Sequence, residues 1–350
     1  MLVFFLIILA VILYLLQRYL YFRIWKKGIS VSVGFERDRI NEGEDNTVTE
    51  TMTNTSFLPL NCITLRYTLL RLCSPLSDPD GKKEIVCRGS VGVRRRKTRK
   101  YSIGNLKRGF YTVSEGKVTG KDIFSSTEYE CRFTSHSSFY VFPRKIDSLS
   151  FDLCYRELLG MVLSKRRKNE DPFELRGIRD YRTTDSMKNI NWKASAKNGS
   201  LVVNEHDYTT DEGASIVLDL RKGTDEEKER LISYASTISS RFLSRGIAVS
   251  LYTNVRSSRD GRRITGGKGS GAGHGGTLGE SLALIKSEAV IDDTPEKMLE
   301  DMREKNSSLL LITHTLSSVS DAEGYDGVLC FRAEERSGAM TIIETEGADE

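Results

Sequence analysis

Hydrophobic residues form one unbroken run at the start of the chain. Residues 2–16 read LVFFLIILAVILYLL, without a charge, a glycine or a proline, and the apolar character resumes at residues 19–22. A helix over residues 2–22 would be about 31 Å long at ~1.5 Å per residue, close to the ~30 Å hydrocarbon thickness of a bilayer. The run predicts one transmembrane anchor within residues 1–25, with an interfacial aromatic belt of Tyr19, Tyr21 and Trp25.

The residues that flank the run favour a retained anchor and indicate its orientation. A cleaved signal peptide is the alternative, but it needs basic residues before its apolar core and small residues at a cleavage site. Here only Met1 precedes the run, and bulky side chains follow it. The basic residues lie after the run, which predicts a single-pass protein of the cell membrane with its soluble domains in the cytoplasm. These residues are Arg18, Arg23, Lys26 and Lys27.

Between residues 29 and 145, polar and β-branched apolar residues alternate in short segments. The clearest alternation is at residues 29–33, 47–53 and 63–69, and shorter apolar segments follow up to residue 142. A period of two is typical of strands with one buried face. Strands at this spacing without a long helix predict an all-β sandwich domain over residues 29–145.

Between residues 213 and 345 the pattern alternates between apolar strands and amphipathic helices. Strands are predicted at 215–220, 247–252 and 308–313, with two more at 327–331 and 340–343. A helix capped by Thr224 precedes the second strand, and helices over 277–286 and from Thr294 follow it. Such alternation predicts an α/β domain of Rossmann type with a mostly parallel sheet.

The junction between the two domains, residues 146–212, is charged and rich in aromatic residues. A flexible linker would be depleted in Trp, Tyr and Phe, so the stretch 165–210 is expected to fold onto the α/β domain.

Charge and cysteine content exclude several classes of protein. The 52 Lys and Arg residues exceed the 48 Asp and Glu residues by only four, so the chain as a whole is not expected to bind nucleic acid. The basic run at residues 94–100 fits either a solvated strand edge or loop, which is favoured, or a contact with anionic lipid or nucleic acid. The six cysteines and four histidines lack metal-binding spacing, which favours reduced cytosolic thiols and no zinc site.

The junction carries short motifs in a fixed order. They are Ile178-Arg179-Asp180-Tyr181, Thr184-Asp185, a segment that ends at Trp192, and Ser195-Ala196-Lys197. In this order they resemble the signature of the bacterial family called domain of unknown function 58. The similarity extends over roughly residues 30–345.

The resemblance implies an adaptor without a known reaction. The C-terminal part of the family is similar to von Willebrand factor A domains, and many members are encoded beside MoxR-type AAA ATPases, often with transglutaminase-like membrane proteins. The expected partners are therefore a MoxR-type AAA ATPase and, in addition, a transglutaminase-like membrane protein.

The motif residues are the candidate partner-binding residues. An internal ion-pair network that clamps the junction, with Trp192 as its packing anchor, is the alternative, and the sequence leaves both open. The large apolar area of Trp192 favours a mixed outcome in which Trp192 is buried and the charged residues lie at the surface. The candidate residues are Arg179, Asp180, Tyr181, Asp185, Trp192 and Lys193. Ser195 with Lys193 is a weak nucleophile candidate because no oxyanion-hole motif accompanies the pair.

A metal site of the von Willebrand factor A kind is degenerate in this chain. Such a site needs Asp-x-Ser-x-Ser, a loop threonine and a further aspartate to hold Mg²⁺ through oxygen ligands. Asp219 and Thr277 stand at matching places, but both serines are missing, and Arg221 and Lys222 bring two cations into the loop after Asp219. We expect no bound metal and no cofactor. The glycine-rich run 261–276 lacks the phosphate-loop pattern and is predicted to be a mobile loop.

Three functional hypotheses follow. The leading one is a membrane-anchored, non-enzymatic adaptor for a MoxR-type AAA ATPase. The second is a structural component of an envelope-assembly complex that handles cell wall, exopolysaccharide or transglutaminase-linked material. An enzyme is least favoured because no convergent catalytic set is visible in the sequence.

Overall fold

The computed structural model describes most of the chain. The described residues are 2–72, 81–122, 124, 127–168, 170–183, 185–208, 213–257, 259–291, 293–301, 307–315, 325–332 and 341–343. They form two compact units, of which the first contains residues 1–145, 256–262 and 279–289 and the second contains the rest. The prediction of a mixed α/β chain with one apolar N-terminal helix is confirmed.

Helix α1 (Leu2–Gly28) is continuous over 27 residues and leads directly into strand β1. It is the one described helix long and apolar enough to cross a membrane, over Val3–Arg23. Its large side chains from Val3 to Leu16 are mostly exposed, but Tyr21 and Trp25 are 1% and 2% exposed within the core of the first unit. The predicted placement of Tyr21 and Trp25 in an aromatic belt is therefore wrong, because both rings pack against protein.

The first unit contains eight described strands before residue 145. They are β1 (Ile29–Phe35), β2 (Arg39–Asn41), β3 (Asn46–Asn54), β4 (Leu60–Arg71), β5 (Lys82–Val91), β6 (Arg96–Ile103), β7 (Gly109–Lys121) and β8 (Glu128–Phe142). One sheet has the order β1-β3-β6 and the other β2-β8-β7-β4-β5. All described pairings are antiparallel except that of the short β2 with β8.

The core of this unit follows the alternation of the strands. Residues 46–54 of β3 alternate between buried and half-buried positions, so that Val48 and Met52 face the same side. They share one core with Leu65 of β4 and Phe139 of β8, which belong to the other sheet. Period-two alternation therefore gives each sheet one apolar face, and the two faces enclose the core. The basic run at residues 94–100 enters β6, which pairs with β3.

The second unit is built on a sheet in which five of the described strands pair in parallel. Its strands are β11 (Gly213–Leu218), β12 (Ala248–Ser257), β13 (Arg263–Gly269), β15 (Ser308–Thr315), β16 (Gly327–Arg332) and β17 (Thr341–Ile343), in the order β13-β12-β11-β15-β16-β17. The parallel strands are β12, β11, β15, β16 and β17. Strand β11 is buried at every position and pairs in parallel with β12 and β15. Because β12 and β15 lie on opposite sides of β11, the strand order reverses beside β11. In open α/β sheets, ligand sites occur at the carboxyl ends of strands at such a point.

Three helices follow β11 among the described residues. Helix α4 (Asp225–Ser244) is capped by Thr224 and buries the apolar face that includes Leu231, Ile238 and Phe242. Helix α5 spans Gly271–Ala283, strand β14 spans Ile285–Val290, and helix α6 spans Pro295–Asp301. The glycine-rich run 261–276 therefore contains strand β13 and the start of α5, and the prediction of a mobile loop there is wrong.

The junction folds into elements of its own. They are helix α2 (Leu149–Lys168), strand β9 (Glu170–Asp180), a 3-10 turn (Met187–Asn189), helix α3 (Trp192–Asn198) and strand β10 (Val202–Tyr208). Helix α2 packs on α4 within the second unit: Phe151 stacks on Tyr234 with ring centroids 5.5 Å apart, and Arg241 donates to Asp152 at 2.5 Å. The described residues of the junction are therefore mostly in regular elements and do not form a linker, although the sequence patterns did not predict α2.

Candidate functional site

The junction motifs lie on a small β-hairpin. Strands β9 and β10 pair antiparallel, with Asp180 opposite Val202 and Arg179 opposite Val203. The chain between them crosses back over β10, since Ile190 bridges Val203 and the amide of Asn191 donates to the carbonyl of Val202 at 2.9 Å. The hairpin thus holds the 3-10 turn and helix α3 against its second strand.

Both ends of helix α3 are capped, the first by the Asn191 side chain and the last by Gly199. The Asn191 carboxamide accepts from the amide of Ala194 at 2.9 Å and donates to Asn204 of β10 at 2.8 Å. The buried Ser195 hydroxyl accepts from the amide of Val202 at 2.9 Å. Gly199 ends the helix with φ 71°, a left-handed conformation that glycine adopts without strain. The position of α3 is therefore fixed by hydrogen bonds to β10.

Trp192 stands exposed on this fixed support. It is the first residue of α3, and 64% of its surface is accessible. The interpretation of Trp192 as a packing anchor is wrong, because the Asn191 cap places the ring on the outside of the turn. Met187, in the 3-10 turn just before it, is 71% exposed. Met187 was not among the predicted site residues, although it is an apolar residue between Asp185 and Lys188.

Arg179 and Asp185 form the clamp of this segment. The two terminal nitrogens of Arg179 donate to the two carboxylate oxygens of Asp185 at 2.6 and 2.7 Å, and the amide of Arg182 donates to Asp185 at 2.8 Å. The Asp185 side chain is 14% exposed. Mainly through the hydrogen bonds from Arg179, the pKa of Asp185 is lowered to about 2. The Arg179 and Asp185 side chains, 37% and 14% exposed, thus pair with each other at the edge of the surface, and the part of the predicted mixed outcome that is wrong is the burial of Trp192.

The other predicted residues lie on the same segment. The amide of Tyr181 donates to the carbonyl of Leu201 at 2.9 Å, which extends the hairpin by one step. Asp180 and Lys193 are exposed, and Lys193 follows Trp192 in α3. Ser195 accepts from and donates to the backbone of Val202, so its hydroxyl has a structural role. All six predicted residues thus fall on one hairpin, where two form the clamp and the others surround it.

The second candidate site lies where the strand order reverses beside β11. Asp219 follows β11 and is 3% exposed. Its carboxylate accepts from Arg221 Nε at 3.0 Å and Arg221 Nη2 at 2.9 Å, from Asn254 Nδ2 at 2.7 Å, and from Thr313 Oγ1 at 3.3 Å. The amide of Arg221 adds a fifth donor at 3.1 Å. Both carboxylate oxygens are therefore occupied by donors from the chain itself.

These residues do not fit a divalent cation. Mg²⁺ and Ca²⁺ need several oxygen ligands directed at one point, whereas here the guanidinium of Arg221 lies against the carboxylate that would be the main ligand. Thr277 lies in α5, where its hydroxyl donates to the carbonyl of Gly273, one turn earlier. Within the described part of the chain, no group of three acidic, histidine or cysteine residues is arranged to hold a metal.

A histidine and a carboxylate lie close together at the same end of the sheet. His314, the residue after Thr313, lies 3.2 Å from Glu227. Glu227 also accepts from the amide of Thr224 at 2.7 Å and completes a capping box at the start of α4. Hydrogen bonds from Thr224 lower the pKa of Glu227 to about 2. The Glu227 carboxylate thus stabilises the N-terminus of helix α4.

Comparison with known proteins assigns the chain to no family. No protein-family model and no curated protein matches it. Three solved structures illustrate the partial matches: the CARDB domain of a Pyrococcus furiosus protein (10% identity, 31% of this chain and 86% of that chain, TM-score 0.20), the C-terminal domain of wzt (9% identity, 35% and 77%, TM-score 0.25), and a β-glucosidase from Listeria innocua (12% identity, 32% and 16%, TM-score 0.20). Similarities of this size do not bear on function.

Proposed function

We propose that this protein is a membrane-anchored, non-enzymatic interaction protein that binds a protein partner through its junction hairpin. The observation that carries the proposal is the exposed indole of Trp192 on a helix fixed by hydrogen bonds. Tryptophan is enriched at interface hot spots, since a rigid ring buries a large area at little cost in conformational entropy. An exposed tryptophan on a helix that is capped by Asn191 fits the role of such a hot-spot residue.

The charge around Trp192 favours an acidic partner surface. Four basic side chains of the segment are exposed, whereas Asp185 is paired with Arg179 and leaves Asp180 as the exposed acid of residues 178–198. Rim charges of one sign steer a partner of opposite sign and raise the association rate. The exposed basic residues are Arg182, Lys188, Lys193 and Lys197.

The resemblance of the junction motifs suggests a MoxR-type AAA ATPase as this partner. On the same basis, the parallel sheet of the second unit is proposed to be a von Willebrand factor A-like domain. The saturation of Asp219 by Arg221 supports a binding mode that does not depend on a metal ion. The location proposed is the cell membrane, with both units in the cytoplasm and a transglutaminase-like membrane protein as a further partner.

A structural role in an envelope-assembly complex is the second candidate. It is favoured by the direct continuation of α1 into β1 and by the burial of Tyr21 and Trp25 in the first unit, which mount that unit firmly on the anchor. A bracing role would place the binding surface on the first unit.

Binding measurements on the full chain in nanodiscs separate these candidates. With a MoxR-type ATPase from the same genome, Trp192→Ala is expected to weaken binding at least about tenfold, as for a hot-spot residue. The melting temperature should stay unchanged because the ring is exposed. Phe57→Ala, which removes a 56% exposed ring from the first unit, is the matched control and should bind normally. Undiminished binding by Trp192→Ala would contradict the proposal, and a loss with Phe57→Ala would favour the bracing role.

A further inference from the structure

Helix α1 contacts the first unit along one face, and this contact begins inside the apolar run. Of the helix positions whose burial is described, the half-buried or buried ones recur at helical spacing and are Tyr14, Gln17, Leu20, Tyr21, Trp25 and Gly28. Gln17 donates to Asp122 at 3.1 Å, and the Tyr14 ring lies 6.1 Å from the ring of Phe124. Asp122 and Phe124 belong to the connection between β7 and β8. The tip of this hairpin is therefore level with the last apolar turns of the helix.

The length of the free helix sets the depth of the hairpin tip in a membrane. Residues 2–16, ahead of the contact with Asp122, span only about 22 Å at ~1.5 Å per residue, against a hydrocarbon layer of about 30 Å. Either the hydrocarbon layer extends beyond residue 16 or the bilayer thins locally to meet it. In both cases the hairpin tip meets lipid, because Phe124 packs beside Tyr14, inside the apolar run.

The side chains at this level suit a lipid environment. Phe124 is 65% exposed although it is a large apolar residue at a hairpin tip. A groove of about 600 Å³ lies between α1 and the start of β8. On the helix side it is lined by the exposed Leu15, Arg18, Tyr19 and Phe22 and by the buried Trp25, and on the strand side by residues 127–130, which include Glu128 and Glu130. Aromatic rings next to a guanidinium are the combination found where acyl chains meet phosphate groups.

We propose that Phe124, in the β7–β8 connection, and the groove between α1 and β8 bind phospholipid of the bilayer in which α1 is embedded. The acyl chain lies on Leu15 and Phe22, Phe124 inserts beside it, and Arg18 donates to the phosphate. The proposal rests on the membrane anchoring proposed above, since continuity with the apolar helix identifies lipid as the occupant. The first unit would then contact the membrane at two places, the helix and the hairpin tip.

Photolabelling of the full chain in nanodiscs tests the proposal. The probe is a phosphatidylcholine with a diazirine on its acyl chain near the glycerol, and labelled peptides are identified by mass spectrometry. We expect labels on residues 2–22 and, separately, on the peptide that contains Phe124. Phe124→Ser should lower labelling of the hairpin about tenfold, as expected for loss of one inserted aromatic ring, and leave the helix labels unchanged. Arg18→Gln should lower labelling of the groove.

Two exposed residues of β5 provide the matched controls. Val86→Ser and Arg88→Gln change an apolar and a basic exposed residue on β5, which β7 and β4 separate from β8, and should leave all labels unchanged. Labels confined to residues 2–16 would overturn the proposal while preserving the anchor, and a dimer within the nanodisc would then assign the groove to a second copy. Absence of label from the whole helix would overturn the anchoring itself.

Discussion

At the scale of single residues, two carboxylates are neutralised by arginines close to them in sequence. Asp185 is held by Arg179, and Asp219 by Arg221, each through two guanidinium nitrogens. The sequence identified these acids as candidate site residues, but spacing alone does not distinguish a carboxylate that faces a ligand from one that faces its own chain. The difference depends on which rotamer the arginine adopts, which is a property of the folded structure.

The Asp185 clamp predicts a defined dependence of stability on pH. Because Arg179 lowers the pKa of Asp185 from 3.8 to about 2, the folded state binds this proton less readily than the unfolded state. The clamp therefore contributes its full stability above pH 4 and loses it as the pH falls from about 4 to 2. Melting curves of the wild type and Asp185→Asn should differ by a constant amount above pH 4 and converge near pH 2. A difference that persists unchanged at pH 2 would contradict the clamp.

The pairing of Asp219 with Arg221 predicts that the protein is indifferent to divalent cations. Mg²⁺ bound at 100 times its dissociation constant would add about 2.7 kcal/mol to the free energy of unfolding. We expect no Mg²⁺-dependent rise in melting temperature for the wild type or for Lys222→Ala. Arg221→Ala should lower the melting temperature, because it leaves a buried carboxylate without its cation. A wild-type rise that Asp219→Ala abolishes would establish a metal site.

The burial of Cys87 predicts that its thiol reacts more slowly than that of the exposed Cys62. Its thiol donates to the buried carboxylate of Glu50 at 3.2 Å, and burial raises its pKa to about 11. Because the thiolate is the reactive form, we expect Cys87 to react with iodoacetamide at pH 8 much more slowly than the exposed Cys62. Mass spectrometry of partly alkylated protein measures both rates, and equal rates would contradict the burial of this network.

At the scale of elements, period and capping predicted most strands, helices α4 and α6 and, as residues 277–286, the second half of α5, whereas α2, α3 and the glycine-rich start of α5 were not predicted. Helix α5 contains five glycines, which oppose helix formation in isolation, but a side chain at Gly275 would meet Leu243 at 3.3 Å, so the helix packs closely there. Helix α2 has an apolar face that includes Phe151, Tyr155 and Leu158, yet the pattern lies among charges that resemble a linker. In both cases tertiary packing outweighs local propensity.

The N-terminal cap of helix α4 predicts a measurable change in the free energy of unfolding. Thr224 accepts from the amide of Glu227 and Glu227 accepts in return, so Thr224→Ala should lower the free energy of unfolding by about 1 kcal/mol. Ser186 stands at the same position of the 3-10 turn without a side-chain capping bond, and Ser186→Ala is the matched control. Urea denaturation measures both variants, and equal changes would show that the cap contributes nothing.

At the scale of the whole molecule, the N-terminal helix is the element that, in the proposed function, holds the two units at the membrane. The apolar run could be predicted from the sequence alone. The packing of Gln17, Tyr21 and Trp25 against the first unit could not, because it depends on contacts with residues about a hundred positions away, such as that of Gln17 with Asp122. In the junction, likewise, the candidate residues could be selected from the sequence, but the exposure of Trp192 could not be predicted from it.

The orientation of the anchor is open to a direct test. The basic residues that follow the apolar run predict a cytoplasmic C-terminal side. A reporter fused to the C-terminus should be active when it is a protein that works in the cytoplasm and inactive when it requires export. Activity of an export-dependent reporter would reverse the orientation.

The central claim, that the junction hairpin is the partner-binding surface, is tested most directly by photocrosslinking in living cells. A benzoylphenylalanine replaces Trp192 in one strain and Phe57 in another, both at exposed positions. Irradiation is predicted to join the full-length protein to the MoxR-type ATPase through position 192 and not through position 57. Equal crosslinking from both positions, or from position 57 alone, would contradict the account.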